Sequence, residues 1–367
     1  MRVFFSGGGT GGHLYPALNI ARALVKLEPR ARPFFVGARR GIERDVLPTT
    51  EFPHLLLDLH PLYRAKPLEN WRTARGFATA WRGIAAMARG GRPSAVVGTG
   101  GYAAGAMLAW AAANGVPYAV QEQNSFPGAT VRFFTRWARE VYLGFPEAER
   151  MLPHRGARFV DSGNPIEPPP VPRPDRLVAR RKWSLPDTGR VLLVFGGSQG
   201  ARAINDAISQ WIDRGLPDGL SLIWATGKGS FDAYARHEGP LVRVRPYIAP
   251  MTDAYAAADV AVARAGAMGT AELCAWGIPM LLVPLPTAAA DHQTVNARAL
   301  SDAGAAIWMT QAELDAERLD VEVSALLADD AKLESLTRAA LERARPDAAE
   351  VIARHVLALA QFASNRR

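Results

Sequence analysis

The feature that most constrains the fold of this chain is a glycine-rich turn near its start. Residues 3–6 form a short apolar run typical of a buried parallel strand, and apolar residues recur at helical spacing from Leu14 onward. Glycine permits a close approach of the backbone, and the N–H groups at a helix start favour an anion, most often a phosphate. The turn therefore predicts a phosphate site, with a simple packing turn as the alternative. Its glycines are Gly7, Gly8, Gly9, Gly11 and Gly12.

The residues around this turn narrow the kind of ligand. It is not a Walker A loop, which needs Gly-Lys-Ser/Thr. Nor is it a clean Gly-x-Gly-x-x-Gly followed by an acidic residue about twenty positions on. Both departures argue against kinase-like and nicotinamide-dependent proteins. The unusual residue is His13, which closes the loop.

Composition and charge limit the class of protein. A length of 367 residues predicts two domains, and the single cysteine, Cys274, excludes an internal disulfide framework. We expect neither a signal peptide nor a membrane-spanning segment, because the apolar runs are too short. Residues 1–163 carry 21 Lys and Arg against 11 Asp and Glu, which indicates an acidic partner such as an anionic membrane or a phosphorylated substrate. No nucleic-acid-binding motif is present, so we expect no nucleic acid partner.

Short apolar runs alternate with helical stretches through the first half, which predicts a parallel α/β sheet. The expected strands are residues 3–6, 33–37, 55–59, 95–98, 118–121, 140–143 and 158–160. A second glycine cluster, residues 98–105, follows the fourth strand, and the polar run 121–124 follows the fifth. Because ligands bind at the carboxyl ends of parallel strands, we expect these segments to face the same crevice.

A proline-rich stretch, residues 162–176, divides the chain and predicts a semi-rigid linker. Beyond it a strand at residues 191–195 leads into a third glycine loop, 196–200, and a helix. The later expected strands are residues 222–225, 242–244, 260–263 and 280–283. A glycine-containing turn at 264–272 follows the third of these, and Asp291 is expected to cap a helix after the last. The two halves therefore predict two similar α/β domains with a cleft between them.

Residues 68–89 form an amphipathic helix in which arginines adjoin an apolar stripe. The stripe consists of Ala74, Ala78, Trp81, Ala85 and Ala88. Such a helix is typical of a membrane-surface element, and a core helix with a solvated arginine face is the alternative. The residues expected to meet an anionic membrane are Trp71, Arg72, Arg75, Phe77, Trp81, Arg82 and Arg89.

Taken in order, these motifs resemble those of the MurG family, the lipid I N-acetylglucosaminyltransferases of peptidoglycan synthesis. The motifs are residues 7–13, 100–105, 122–124, 196–201, 266–272 and 293–297. The resemblance implies an α/β fold of two Rossmann-like domains, the GT-B type, with a deep cleft between them. The implied divisions are an N-terminal acceptor and membrane-associating domain at 1–162, a linker at 163–176, a UDP-GlcNAc domain at 177–345, and a final helix at 346–367 that packs back on the first domain.

The resemblance also implies a reaction. GlcNAc would pass from UDP-GlcNAc to the MurNAc 4-hydroxyl of undecaprenyl-pyrophosphoryl-MurNAc-pentapeptide, lipid I, with inversion, giving lipid II for the cell wall and hence for cell shape and division. The implied location is the cytoplasmic face of the inner membrane, as a peripheral protein. A UDP-GlcNAc epimerase, another GT-B transferase and a non-catalytic nucleotide-sugar-binding protein remain as alternatives.

Donor contacts follow from the resemblance, position by position. Ile248 is implied to hold uracil through its backbone, Glu272 to take the ribose hydroxyls, and Gln293 to bind the GlcNAc hydroxyls. Ser198 is implied to reach the donor phosphates. The other implied donor contacts are Thr10, Gly11, Gly12, Asn124, Ala267, Met268, Gly269, Thr270 and Ala271.

Acceptor contacts and the base are expected in the first domain. The implied acceptor contacts are Gly9, Thr10, Gly101 and Tyr102. Direct inversion needs a base for the proton of the acceptor hydroxyl. His13 is the first choice, because the ordinary histidine pKa near 6.5 suits that task. Glu122 is the second choice, and a structural role for His13 is the alternative.

Two positions depart from the pattern of the family. Members usually carry Arg shortly after the Gly-Asn-Pro of the linker, where this chain has Glu167, so that donor contact is in doubt. Many members have His where this chain has Gln121, which cannot act as a base. No Asp-x-Asp pattern accompanies the donor motifs. We therefore expect no required metal cofactor, with magnesium left open as a stimulating ion.

Overall fold

The computed structural model describes residues 1–61, 67–197 and 199–365. The chain divides into two compact units, each described here by itself. Unit 1 is Met1–Glu167 together with Asp347–Arg367, and unit 2 is Pro168–Pro346. The first division lies within the proline-rich stretch predicted as a linker, whose residues 163–166 are buried in unit 1. The cleft expected between the domains stays a prediction.

Unit 1 is built on a seven-stranded sheet in which every paired strand is parallel. Its strands are β1 (Arg2–Ser6), β2 (Arg32–Ala38), β3 (His54–Leu57), β4 (Ala95–Gly98), β5 (Tyr118–Glu122), β6 (Glu140–Leu143) and β7 (Arg158–Asp161). The order β3-β2-β1-β4-β5-β6-β7 reverses direction between β1 and β4. Ligands bind outside the carboxyl ends of strands at such a reversal. All seven strands predicted from the sequence are present.

The helices of unit 1 cover both faces of this sheet. They are α1 (Gly11–Leu27), α2 (Glu43–Val46), α3 (Asn70–Arg89), α4 (Gly101–Ala113), α5 (Ala129–Phe134) and α14 (Ala348–Asn365), with short 3-10 turns between some of them. Alternate side chains of β1 enter two separate cores: Phe5 packs with residues of α1, whereas Phe4 packs with residues of α4. The C-terminal α14 packs against α1 and adds Ile352 and Val356 to the α1 core.

Unit 2 repeats the same winding with six parallel strands. They are β8 (Arg190–Phe195), β9 (Leu220–Ala225), β10 (Val242–Arg245), β11 (Val260–Ala263), β12 (Met280–Leu282) and β13 (Ala306–Trp308), in the order β10-β9-β8-β11-β12-β13. Its helices are α6 (Arg176–Lys182), α7 (Arg202–Arg214), α8 (Phe231–Tyr234), α9 (Thr252–Ala257), α10 (Ala267–Trp276), α11 (His292–Asp302), α12 (Ala316–Ala328) and α13 (Asp330–Arg343). The sequence prediction missed β13, a three-residue strand at the edge of the sheet.

The buried side of α3 is not the stripe that the sequence suggested. Gly76, Ala80 and Ile84, four residues apart, face the interior, where α3 packs on α4 and β3. A Cβ at Gly76 would lie 2.5 Å from a backbone oxygen of the segment after β3, so only glycine permits this approach. Ala74 and Ala78 of the predicted stripe are exposed. Trp81 and Ala88 of the stripe are partly buried and pack against the core, so the predicted stripe is divided between core and surface.

Asp291 lies at the N-cap position of α11, but it does not cap the backbone as predicted. Its carboxylate accepts a hydrogen bond from the Thr294 hydroxyl at 2.6 Å, and its side chain makes no capping bond to a backbone N–H. The backbone of Asp291 is left-handed, with φ of 53°. A capping residue normally has an extended backbone, so this conformation explains the missing cap.

Candidate functional site

The two glycine loops of unit 1 meet at the carboxyl ends of β1 and β4. Gly101 has a left-handed φ of +73°, and a Cβ on it would lie 2.1 Å from the backbone oxygen of Gly8. A side chain at this position would therefore push the loops apart. The structure thus brings together the loop before α1 and the loop before α4, as the sequence analysis expected. Asn124, which follows β5, belongs to the same edge of the sheet.

The imidazole of His13 lies between these loops. Its Nδ1 is 3.0 Å from the backbone oxygen of Thr99 and 2.9 Å from Oε1 of Gln123. A Cβ on Gly100 would lie 3.0 Å from the same nitrogen, so glycine at that position leaves room for the ring. The Thr99 hydroxyl donates to the backbone oxygen of His13 at 2.7 Å. The ring is therefore held by Thr99, in the glycine loop between β4 and α4, and by Gln123, in the polar run at the end of β5.

The polar run at the end of β5 forms a buried amide network. Gln123 Nε2 donates to the Thr99 backbone oxygen at 2.8 Å and to Gln121 Oε1. Gln121 Nε2 donates to Asn164 Oδ1 at 3.3 Å, and Asn164 Nδ2 donates to the backbone oxygen of Gln123 at 3.0 Å. These glutamines and Asn164 are at most 2% exposed. Gln121, excluded as a base from its chemistry, has a structural role here.

Glu122 is buried and holds the loop that follows it. One carboxylate oxygen accepts from the Asn124 backbone N–H at 2.9 Å, and the other accepts from the Gly128 backbone N–H at 2.8 Å. Burial raises the pKa of the Glu122 carboxyl above its ordinary value, and these hydrogen bonds oppose that rise. The contacts give Glu122 a loop-fixing role, and its service as a base stays a prediction.

Glu43 is a buried carboxylate that the sequence analysis missed. Its Oε2 accepts from the Gly9 backbone N–H at 3.0 Å, and its Oε1 accepts from the Ala38 backbone N–H at 3.1 Å. A Cβ on Gly8 or Gly41 would overlap the carboxylate, so glycines make its space. The Gly9 N–H is therefore committed to Glu43, and an acceptor contact at Gly9 cannot use that group while this bond holds.

The first turn of α1 carries the other residues predicted to touch substrate in this unit. Thr10 is the exposed N-cap residue, and its hydroxyl makes no capping bond. Gly11 and Gly12 open the helix, where the first N–H groups lack intrahelical partners and favour an anion. The Tyr102 ring lies beside the turn, 3.0 Å from the position of a Cβ on Gly9. Thr10, Gly11, Gly12 and Tyr102 thus lie close to His13.

Glu167, the residue that departs from the family pattern, lies on the surface of unit 1. It is exposed, and its charge contributes to raising the pKa of Arg22, after the larger effect of the hydrogen bond from Arg22 to Glu51. Arg22 Nε and Glu51 are 2.9 Å apart. The arginine of the family pattern is therefore replaced here by an exposed acidic residue whose charge acts on the Arg22 of the Arg22–Glu51 ion pair.

In unit 2, glycine loops again meet at the carboxyl ends of the strands. A Cβ on Gly200, whose φ is +75°, would lie 2.1 Å from the backbone oxygen of Thr226, which follows β9. Ser198, predicted to reach the donor phosphates, lies outside the described residues. Ile248, in the loop after β10, is buried, consistent with a backbone rather than a side-chain contact.

The start of α10 carries five of the implied donor contacts. The helix begins at Ala267, after a short loop of residues 264–266 that follows β11, with Gly266 as its extended N-cap and no acidic residue in its first turn. Its opening residues are Ala267, Met268, Gly269, Thr270 and Ala271. The Thr270 hydroxyl donates to carbonyls of its own helix, at 3.1 and 3.2 Å. A contact between this turn and phosphate would therefore use backbone N–H groups.

Glu272, one turn further along α10, is held by a tyrosine that the sequence analysis did not single out. The Tyr255 hydroxyl donates to Glu272 Oε2 at 2.6 Å. Tyr255 packs between the rings of Phe195 and Trp276. Burial, and then the nearby Glu272 charge, raise the pKa of Tyr255 well above its ordinary value. The tyrosine thus stays a donor and fixes one carboxylate oxygen.

Gln293 lies at the start of α11, close to the loop after β12. Its Oε1 accepts from the Leu285 backbone N–H at 2.9 Å, which leaves the N–H donors of the amide for its predicted role toward sugar hydroxyls. Asn296, one turn later and fully buried, donates to the Ala265 backbone oxygen at 3.1 Å. This bond ties α11 to the loop that leads into α10.

Comparison with known proteins shows which family this chain belongs to. The chain matches the glycosyltransferase family 28 N-terminal domain over residues 3–143 and the family's C-terminal domain over residues 191–352. It is 42% identical over 365 residues to a UDP-N-acetylglucosamine--N-acetylmuramyl-(pentapeptide) pyrophosphoryl-undecaprenol N-acetylglucosamine transferase of Salinibacter ruber, covering 98% of this chain and 96% of the relative. The chain belongs to the MurG family.

Two further comparisons agree with membership of the MurG family. A transferase of the same name from Moorella thermoacetica is 40% identical, covering 97% of this chain and 98% of its own length. The crystal structure of Acinetobacter baumannii MurG is similar with a TM-score of 0.76 at 26% identity, over 97% of this chain and 99% of that one. The predicted α/β fold of two Rossmann-like domains is confirmed. The site residues carried over from MurG-family motifs stay predictions.

The described residues contain neither a metal-binding cluster nor a membrane-spanning helix. Within residues 1–61, 67–197 and 199–365, no group of three or more His, Cys, Asp or Glu side chains could hold a metal ion. The expectation that this MurG-family chain requires no metal stays a prediction. Among the helices of the described segments, none is both long and apolar enough to cross a bilayer.

Proposed function

We propose that this chain transfers GlcNAc from UDP-GlcNAc to the 4-hydroxyl of MurNAc in undecaprenyl-pyrophosphoryl-MurNAc-pentapeptide. The observation that carries the proposal is the 42% identity, over nearly the whole chain, to a transferase named for that reaction. The acceptor oxygen forms a bond to the anomeric carbon, the bond from that carbon to UDP breaks, and its electron pair leaves with UDP. The configuration at the anomeric carbon inverts.

The residues of unit 1 suit the acceptor half of this reaction. His13 takes the proton of the attacking hydroxyl, because it is the imidazole held where the two glycine loops meet. The first turn of α1, opened by Gly11 and Gly12, offers backbone N–H groups to the acceptor diphosphate. No side-chain cation of the first turn is needed, since the unpaired N–H groups and the helix dipole already favour negative charge.

The residues of unit 2 suit the donor. The N–H groups that open α10 stabilise the charge that develops on the leaving diphosphate. Glu272, fixed by Tyr255 at 2.6 Å, accepts hydrogen bonds from the ribose hydroxyls, and the Gln293 amide donates to the sugar. Ile248 contributes its backbone to uracil. These assignments rest on the MurG-family motifs and on the contacts of the described residues.

A turnover assay tests the proposal. The full chain is incubated with UDP-GlcNAc and a short-chain lipid I analogue, and the products are identified by mass. We expect a GlcNAc-MurNAc disaccharide product and stoichiometric UDP, with turnover persisting in EDTA. Conversion of UDP-GlcNAc without acceptor would instead indicate an epimerase. Binding of UDP-GlcNAc without any product would indicate a nucleotide-sugar-binding protein.

We also propose that unit 1 binds an anionic membrane through the outer side of α3. Support comes from exposed aromatic residues beside arginines: Trp71 is 58% exposed and Phe77 is 40% exposed, and Arg75 and Arg82 are exposed on the same helix. A basic amphipathic helix with aromatic residues on its apolar face is typical of the bilayer interface. This attachment would place the protein on the leaflet that holds its lipid-linked substrate, the cytoplasmic one.

A second exposed aromatic group strengthens this proposal and was missed by the sequence analysis. Phe133 and Trp137, at and just after the end of α5, are 52% and 56% exposed and pack edge to face. Arg136 lies over the Phe133 ring at 5.7 Å. Helix α4 contacts both α3 and α5, so both aromatic groups lie on or next to helices that pack against α4.

Vesicle flotation tests the membrane proposal. The quadruple variant changes Arg72, Arg75, Arg82 and Arg89 to Gln. Each arginine near an anionic surface contributes about 1 kcal/mol, so this variant should be released from anionic vesicles. A matched variant removes four exposed arginines of unit 2 and should still float; its positions are Arg202, Arg214, Arg318 and Arg338. Equal flotation of both variants would refute a role for α3.

A further inference from the structure

The neighbours of one ring nitrogen of His13 decide where its proton resides. Nδ1 lies 3.0 Å from the backbone oxygen of Thr99, and a carbonyl oxygen only accepts hydrogen bonds. It also lies 2.9 Å from the side-chain oxygen of Gln123. Both contacts require a proton on Nδ1. In the neutral ring the other nitrogen, Nε2, then carries the basic lone pair.

The amide of Gln123 has only one consistent orientation. Its nitrogen donates to the Thr99 backbone oxygen at 2.8 Å and to the side-chain oxygen of Gln121. A reversed amide would place an oxygen against both of these acceptors and would turn N–H donors toward Nδ1 of His13. The amide oxygen therefore faces His13.

Gln121 is itself fixed, so the network has a defined direction. Its nitrogen donates to Asn164 Oδ1 at 3.3 Å and to the backbone oxygen of Glu122 at 3.2 Å. The Asn164 nitrogen donates to the backbone oxygen of Gln123 at 3.0 Å, which leaves the Asn164 oxygen for Gln121. Amides do not titrate, so these contacts keep the same direction as pH changes.

We propose that Gln123 is a positioning residue for His13. Together with the Thr99 carbonyl it keeps the proton on Nδ1, which leaves Nε2 to take the proton of the acceptor hydroxyl. This inference rests on the proposed function, in which His13 is the base. The acceptor O–H bond breaks as its oxygen bonds to the anomeric carbon, the proton moves to Nε2, and the electron pair of the sugar–phosphate bond leaves with UDP.

Nitrogen NMR tests the inference without any turnover. The full chain is labelled with 15N-histidine, and the His13 signals are those lost in His13→Gln. At a pH where the ring is neutral, we expect Nδ1 to show the protonated type of shift and Nε2 the unprotonated type. The reverse pattern would overturn the inference. In Gln123→Met we expect the reverse tautomer to gain population, and an unchanged tautomer would refute the part assigned to Gln123.

Kinetics test whether Gln123 acts through His13. We expect Gln123→Met to lower kcat about tenfold to a hundredfold, part of the ~10²–10⁴-fold that a general base contributes, with KM for UDP-GlcNAc unchanged. On a His13→Ala background the same substitution should have no further effect. Equal falls in both backgrounds would overturn the inference.

A control separates this inference from the proposed function. The exposed Gln210 of α7 lies outside both candidate sites, so Gln210→Met should leave kcat and the His13 signals unchanged. If the wild-type chain gives no disaccharide at all, the proposed function fails, whereas the NMR result still decides which nitrogen of His13 carries the proton.

Discussion

The two units share one winding of strands but use their polar side chains in different ways. In unit 1 the polar side chains near the strand ends are buried or partly buried and are bonded to one another, as in the contacts among His13, Gln123 and Gln121. In unit 2 the candidate side chains are fixed by separate groups, as Glu272 is by Tyr255 and Gln293 is by the Leu285 backbone. A connected network suits a chemical step, whereas side chains that are fixed separately suit the binding of a ligand.

The largest expected effect concerns unit 1 and tests whether His13 is the base. His13→Ala should lower kcat by about 10²–10⁴-fold, the usual contribution of a general base. Steady-state kinetics with saturating UDP-GlcNAc and lipid I analogue measure the change. His154→Ala, which removes an exposed histidine of the same unit, serves as the control and should keep wild-type kcat. If a folded His13→Ala variant kept the wild-type kcat, the base would be a different residue, and Glu122 would be tested next.

The next largest effect concerns unit 2. Glu272→Ala should weaken UDP-GlcNAc binding by roughly 1–3 kcal/mol, about 5–150-fold, because buried hydroxyl partners lose their acceptor. Isothermal titration calorimetry measures the dissociation constant. Glu342→Ala, at an exposed position of α13, controls for loss of a carboxylate. Equal affinities in wild type and Glu272→Ala would contradict the ribose assignment.

A smaller effect tests the loop support in unit 1. Glu43→Gln keeps the size of the side chain but turns one acceptor into an NH2 group that faces a backbone N–H, either of Gly9 or of Ala38. We expect the free energy of unfolding to fall by about 1–3 kcal/mol, the cost of an unsatisfied buried group. The KM for the acceptor should rise while UDP-GlcNAc affinity stays unchanged. Altered donor affinity with unchanged acceptor KM would contradict this account.

The smallest effect refines the unit 2 site. Tyr255→Phe removes the hydroxyl that fixes Glu272 but keeps the ring between Phe195 and Trp276. A hydrogen bond to a charged group contributes about 1.5–3 kcal/mol, part of which fixes Glu272 for the ribose. UDP-GlcNAc affinity should fall less than in Glu272→Ala, with kcat unchanged. Identical affinities for UDP and its 2'-deoxy analogue in wild type would show that Glu272 does not contact that hydroxyl.

The sequence predicted the strands and the glycine loops because both carry local signals. Apolar runs mark buried parallel strands, and glycines mark the turns at their carboxyl ends. The three-residue edge strand β13 was missed. The buried face of α3 was misjudged because Gly76 and Ala80 are small rather than strongly apolar, and their burial depends on the close approach of the segment after β3.

The side-chain contacts within the site could not be read from the sequence, since they join residues that are far apart along the chain. Glu43 reaches Gly9 across 34 positions, and Asn164 reaches Gln123 across 41. Only the folded sheet brings these groups together. Tyr255 was passed over for a similar reason, because its partner Glu272 lies 17 residues further on in a different helix.

The most direct test of the division between the two units is the affinity of His13→Ala for UDP-GlcNAc. Unit 1 is assigned the proton transfer and unit 2 most of the donor contacts, so this variant should bind UDP-GlcNAc with nearly the wild-type dissociation constant although its kcat has fallen. Calorimetric titration of both proteins at the same salt and pH gives the comparison. A dissociation constant for His13→Ala that rises in proportion to the loss of kcat would contradict the division.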